Sequence, residues 1–249
     1  MSGRVNKALR FEDKVAIVTG GCQGIGKGCV DVLVEEGGKV AVFDIKDSFG
    51  EDLASKCDSI MYIHCDVRND DEIKKAIDRV VQTFGKLDLL VNNAAVAPHA
   101  HAIDDVTPQD FRDLLNLNLV SYYTMCKYSL PYLRKRKGSI VNISSVCSSA
   151  AARNMSMYCA TKGGVTSLTK ALAIDEAKRG VRMVEDFVAS HSNPEEVMQK
   201  LTSSLHSDRL GEPREIGLAC LYLAVDATFT TGFELNCTAG SEIGYGVKM

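Results

Sequence analysis

The sequence predicts a doubly wound α/β fold, a parallel sheet covered by helices on both faces in a three-layer αβα arrangement. Three observations predict it. Short apolar, β-branched runs alternate with longer stretches of helical periodicity along most of the 249 residues. The runs are apolar throughout rather than alternately polar, as strands buried on both faces require. Glycine, acidic or amide residues follow the runs at their carboxyl ends, where sheets of this kind bind ligands. No Pro/Gly/Ser-rich linker divides the chain, so residues 1–249 are read as a single domain with 1–12 as an N-terminal extension.

The elements follow in order. Lys14–Thr19 is a strand that stops at Gly20-Gly21. Gly24 opens a helix through Glu36, with Val30, Leu33 and Val34 on its apolar face. Lys39–Asp44 is the second strand and completes a βαβ unit. Ile60–Cys65 is a strand ending at Asp66-Val67, Asp70–Phe84 a helix, and Leu87–Val91 a strand ending at Asn92-Asn93. Pro108–Leu133 reads as one long helix, and the basic run Arg134–Lys137 suits its C-terminal end. Ser139–Ile143 is a strand leading to Ser144-Ser145, and Ser156–Ala177 is helical. Further on come a helix over Arg214–Ala224 and a strand over Phe233–Thr238.

Composition narrows the function. Hydrophobic residues make up 45% and charged residues 24%, with a net charge of -3, so neither nucleic acid nor an anionic membrane is an expected partner. The nine cysteines form no CxxC pair and lie mostly in apolar runs, including Cys29, Cys65, Cys126 and Cys220. They read as free thiols in a reducing compartment. With no signal-peptide core and no long uncharged apolar span, the cytoplasm is the expected location.

Three patterns carry chemistry. The turn containing Gly20, Gln23, Gly24, Ile25 and Gly26 lies between a strand and a helix, where glycines let backbone N–H groups approach a pyrophosphate. Asp44 ends the next strand and can accept hydrogen bonds from an adenosine ribose. Its charge would repel a 2′-phosphate and Gln23 offers no cation to offset that, so NAD is favoured over NADP. Tyr158 and Lys162 stand at i and i+4 on one helical face, where an ammonium lowers a phenol's pKa and suits it to move an alcohol proton. A fourth residue, Asn118, interrupts the apolar stripe Phe111, Leu114, Leu115. It needs hydrogen-bond partners, as a core amide or as part of a site.

Other chemistries fit poorly. No GxSxG surrounds Ser144 or Ser145, either of which also suits a plain turn hydroxyl. Among the five histidines only His99 and His101 are close in sequence, on an irregular loop, so no metal is expected.

Taken together, the TGxxxGIG turn at Thr19–Gly26, Asp66-Val67, Asn92-Asn93-Ala94, Asn118, Ser145 and Tyr158xxxLys162 resemble the short-chain dehydrogenase/reductase family, whose fold is Rossmann-type. The resemblance implies an NAD-dependent enzyme that moves a hydride between a secondary alcohol and NAD, with Tyr158 as acid/base. It implies that Lys162 also binds the nicotinamide ribose, that Ser145 hydrogen-bonds the substrate oxygen, and that Asn118 holds a water linked to Lys162. Asp66 and Val67 would flank the adenine and Asn93 would line the cofactor cleft. The segments Leu130–Lys135, Thr169–Glu176 and Gly240–Gly246 bring the likeness nearest to the 17β-hydroxysteroid dehydrogenases. The implied substrate is then a 17β-hydroxysteroid or, as a sugar alternative, a fucose-like lactol. The loop Val96–His101 and the region after Val184 would line its pocket. Homodimers or homotetramers through Pro108–Leu133 and Ser156–Ala177 are implied as well.

Two departures stand out. Asn-Asn-Ala-Gly is replaced by Asn92-Asn93-Ala94-Ala95, which is tolerable if Ala95 keeps a negative φ. After Gly180-Val181-Arg182-Met183 the expected strand and Pro-Gly loop are missing, and no glycine occurs before Gly211. Val184-Glu185-Asp186-Phe187 resembles instead the helix beyond that loop, which cuts the sixth strand to a stub. A segment omitted from the chain, a splice variant, or an oligomer-forming, NAD-binding pseudoenzyme would each explain this, and the first is favoured.

Overall fold

The computed structural model describes residues 8–188, 209 and 211–238. It contains a seven-stranded parallel sheet in the order β3-β2-β1-β4-β5-β6-β7. The strands are β1 (Val15–Thr19), β2 (Lys39–Asp44), β3 (Ile60–His64), β4 (Leu89–Asn92), β5 (Ser139–Ile143), β6 (Arg182–Val188) and β7 (Glu234–Cys237). The helices are α1 (Gly24–Glu35), α2 (Asp47–Lys56), α3 (Asp70–Phe84), α4 (Pro108–Leu115), α5 (Ser121–Arg136), α6 (Ser156–Ala177) and α7 (Pro213–Val225). The expected Rossmann-type α/β fold is present.

Each face of the sheet has its own core. One gathers Val18, Val42, Val91, Val141 and Val184 beneath α1 and α7. The other gathers Ile17, Phe43, Leu90, Ile140 and Met183 beneath α3 and α5. The side-chain period of two along a strand divides each run between these layers. Helix α1 and α7 come unusually close because glycines face each other: a Cβ on Gly217 would lie 2.4 Å from the Gly28 carbonyl oxygen. All nine cysteines are free thiols.

Several boundaries differ from expectation. Asp47–Lys56 forms α2, a helix with only Gly50 buried, so it lacked the apolar face that would have announced it. Strand β4 begins at Leu89 rather than Leu87. The expected single helix over Pro108–Leu133 is broken into α4, a π-helical turn over Asn116–Val120, and α5 extending to Arg136. The basic run does sit at its C-terminus, and Lys137 caps it in a left-handed conformation.

The largest correction concerns the sixth strand. It is no stub, and Val184–Phe187 is not helical. Strand β6 pairs in parallel with β5 from Ser139↔Arg182 to Ile143↔Asp186, and with β7 from Glu185↔Glu234 to Val188↔Cys237. An interior slot between two strands demands hydrogen-bonded extended backbone, and that demand decides against the helix the resemblance implied. The consequence is that Glu185 and Asp186 are both fully buried, on opposite faces of the sheet.

Candidate active site

The carboxyl ends of β1, β2, β4 and β5 open onto a cleft of about 500 Å³. Gly20, Gln23, Gly24, Ile25, Asp44, Asp66, Val67, Asn93, Tyr158 and Lys162 line it, so the predicted residues of five separate segments converge on one space. Gly26, Asn118 and Ser145 lie outside that lining.

The glycine turn is built on steric need. Gly20 and Gly24 have φ of +63° and +53°, the left-handed region that favours glycine. Gly26 allows a closer approach: a Cβ there would lie 2.1 Å from the Gly20 carbonyl oxygen and 2.6 Å from Asn93 Nδ2. Asn93 ties the turn to β4, its Nδ2 donating to the Thr19 and Gly20 carbonyls at 2.9 and 3.1 Å. Thr19 Oγ1 accepts from the N–H groups of Asn93 and Ala94 at 2.9 and 3.0 Å. Ala95 has no positive φ, so the added methyl is accommodated as expected.

Asp44 is 8% exposed, and both its oxygens accept backbone N–H groups, from Cys22 at 3.0 Å and Lys46 at 3.1 Å. Burial and the Asp44 carboxylate push the Cys22 thiol up to about 12. Asp66 receives the Arg68 guanidinium at 2.6–3.1 Å, which holds its carboxyl below the usual range. Two cations of the cleft wall, Lys46 and Arg68, were missed in the sequence. Lys46 follows Asp44 by two residues and donates to Gln23 Oε1 at 2.6 Å, a pairing that only the folded turn creates.

Helix α6 carries Tyr158 and Lys162 inward, both nearly fully buried. The Lys162 Nζ donates to the Ile143 carbonyl at 2.7 Å and lies 5.9 Å from the Tyr158 ring centre and 5.4 Å from that of Tyr122. Burial lowers the Lys162 ammonium to about 8, while Glu185 and Cys147 act in the opposite direction. Ser145 is 2% exposed and its Oγ accepts the Cys147 N–H at 3.2 Å; its neighbour Ser144 is the serine on the cleft wall.

Asn118 is fully buried in the π turn between α4 and α5. Its Oδ1 accepts from Val96 N at 2.9 Å, and its Nδ2 donates to Val96 O at 2.8 Å and Thr161 Oγ1 at 3.3 Å. The amide thus finds the partners its burial demanded. It pins Val96, at the start of the Val96–His101 loop, to α6. His101 N donates to the carbonyl of Asn154, which has a positive φ of 60°. A small recess beside Tyr158 is lined by Pro98, His99, His101, Asn154 and Ser156. The region beyond Val188 expected to line the pocket lies largely outside the described residues, as does Gly240–Gly246.

Among the described residues no group of three or more His, Cys, Asp or Glu side chains is arranged to hold a metal ion, and no helix is long and apolar enough to cross a membrane. The cleft does fit a dinucleotide. Its lining combines the glycine turn and the Asp44 carboxylate with a buried phenol–ammonium pair, the donor and acceptor set a dinucleotide needs.

Comparison with known proteins agrees. The short chain dehydrogenase family pattern matches residues 14–186. The chain is 38% identical over 251 residues to L-fucose dehydrogenase of Bos taurus, covering 96% of this chain and 93% of that protein. It is equally 38% identical to the L-fucose dehydrogenase of Mus musculus, covering 96% and 92%. The crystal structure of 3-ketoacyl-(acyl-carrier-protein) reductase from Brucella melitensis complexed with NADH superposes with a TM-score of 0.89 at 28% identity, covering 93% of this chain and 99% of that one. The chain belongs to the short-chain dehydrogenase family.

Proposed function

We propose that this short-chain dehydrogenase oxidises the hydroxyl of a fucose-like sugar at the expense of NAD, with Tyr158 as the acid/base. The observation that carries the reading is the buried Tyr158–Lys162 pair at the inner end of a cleft whose outer wall is the glycine turn and Asp44. NAD, when bound, supplies the hydride acceptor. The chain's residues do the rest. The turn from Gly20 to Gly26 offers backbone N–H groups to the diphosphate, and the N-terminus of α1 adds positive partial charge. Asp44 receives the adenosine ribose, while Asp66 and Val67 flank the base. Tyr158 takes the substrate's hydroxyl proton, and Lys162 favours the phenolate that does so.

Ser145 holds the reacting oxygen by its hydroxyl. The Asn118 Nδ2 protons are taken by Val96 and Thr161, so a water linking Asn118 to Lys162 would donate to an Asn118 oxygen, on the side chain or the main chain. A sugar is favoured over a 17β-hydroxysteroid by the two L-fucose dehydrogenase relatives.

NADH formation with L-fucose and with a 17β-hydroxysteroid tests the substrate class, and faster turnover of the steroid would reverse the choice. Tyr158→Phe is expected to bind NADH normally and lose roughly 10²–10⁴ in turnover. Undiminished turnover in that variant would sink the acid/base assignment. Absence of turnover in the native protein despite NADH binding would favour the alternative, a cofactor-binding protein without catalysis; that reading draws on the lack of a Pro-Gly loop after Met183.

A further inference from the structure

Glu185 is a fully buried carboxylate on an interior strand, and the reaction described above makes no use of it. It faces the same layer as α6. Thr166, one helical turn beyond Lys162, donates its Oγ1 proton to Glu185 Oε1 at 2.6 Å. Ser144 Oγ lies 3.5 Å from Thr166 Oγ1 and 3.4 Å from the Lys162 carbonyl oxygen, so its single proton is within reach of either neighbour. On the strand side, Asn142 pairs with Glu185, and the next residue, Ile143, supplies the carbonyl that receives Lys162 Nζ. Glu185 Oε2 has no hydrogen-bond partner among the described residues.

A buried ammonium and a buried carboxylate, each with incomplete solvation, interact strongly when a low-dielectric layer separates them. We propose that Glu185 is a positioning residue, the buried counter-charge that keeps Lys162 an ammonium behind Tyr158. The proposal rests on the acid/base reading of Tyr158 for its catalytic meaning, but not for its electrostatics.

The surroundings of Glu185 support this role. Burial raises its carboxyl above the ordinary range, while the Ser144 and Thr166 hydroxyls and Lys162 favour the anion. Glu234 stands beside it in register on β7 and would disfavour a second charge, but Glu234 is itself ion-paired with Lys170 of α6. Tyr122 of α5 faces the same space, and its phenol is held well above its usual value by burial, so it stays neutral. Glu185 also favours the Lys170 ammonium, but Lys170 is exposed and already paired with Glu234, which leaves Lys162 as the buried cation that Glu185 faces.

The test follows the Lys162 ε-carbon by NMR across pH, with Lys162→Met for assignment, alongside the pH profile of kcat/KM. Glu185→Gln keeps an acceptor for Thr166 and removes the charge. Lys162 should then titrate about one pH unit lower, and the alkaline limb of the profile should move toward acid by the same amount. Glu185→Asp, which retains the charge, should restore most of the shift. Thr166→Ala, which weakens the anion without touching the strand, should give a smaller shift in the same direction and serves if Glu185→Gln does not fold.

An unmoved Lys162 titration in the folded variants overturns the proposal, even if activity falls, because a purely structural carboxylate would lower the profile's height and leave its limbs in place. A moved titration combined with full turnover in Tyr158→Phe would keep the counter-charge and discard the acid/base reading.

Discussion

Strands β1 and β6 occupy comparable interior positions, each paired in parallel on both sides. Their sequences are opposites. β1 reads Val-Ala-Ile-Val-Thr and is buried throughout, with its chemistry deferred to the glycine turn that follows. β6 reads Arg-Met-Val-Glu-Asp-Phe-Val and carries its charges inside the sheet. The difference separates two ways of reaching the same extended backbone. In β1 the local preference and the tertiary slot agree. In β6 the slot alone decides, and the cost falls on the side chains, since a buried carboxylate must find partners or hold its proton. Its first residue shows one repayment: the Arg182 guanidinium donates to the carbonyls of Leu223, Ala224 and Ala227 at the end of α7, where a cation is favoured.

The contrast can be broken most sharply at Asp186. Burial pushes its carboxyl up to about 8, with the Cys237 thiol acting in the opposite direction. The folded protein then keeps a proton that the unfolded chain releases near its ordinary value of 3.8. Stability from this group is complete below that value and declines as pH rises toward about 8, by an amount on the order of several kcal/mol. Urea unfolding at intervals across this range should show the decline, and Asp186→Asn should flatten it. A wild-type stability that rises steadily with pH over the same window would show that β6 tolerates its acids by some other means.

A smaller effect is expected on the β1 side. Gly26→Ala sets a methyl against the Gly20 carbonyl and should lose about 1–3 kcal/mol of stability as the turn shifts. Because the same backbone would face the diphosphate, NADH binding followed by fluorescence should fall with it. Retained affinity would mean that the turn's geometry is less constrained than the tight contact implies. Asp44→Ala is the mildest probe. It removes a charged acceptor from the ribose position and should raise the NADH Kd about tenfold, near 1.4 kcal/mol, while narrowing any preference over NADPH. An unchanged preference would mean that Lys46 and Arg68 dominate this end of the cleft.

Much of the site was legible along the chain because its residues come in short segments with local meaning. A glycine turn between strand and helix, an acid at a strand end and an i,i+4 phenol–ammonium pair each state their chemistry within a few residues. What was not legible needs neighbours distant in sequence. Asn118 announced that it needed partners, but not that Val96 and Thr161 would supply them through a π turn. Lys46 and Arg68 became part of the cleft only when β2 and the turn after β3 were set side by side. Helix α2 was missed because its burial rests on Gly50 packed under the Tyr62 ring, which leaves no periodic apolar face.

By itself the sequence determined the alternation of strands and helices, the parallel sheet and most of the residues that line the cleft, since backbone geometry and burial periodicity are local properties. Only the tertiary structure decided the path of residues 182–188. Val184–Phe187 resemble a helix of the family, but an open slot between β5 and β7 offers hydrogen-bonded ladders on both sides. Satisfying that backbone decides the extended path and carries Glu185 and Asp186 into the core.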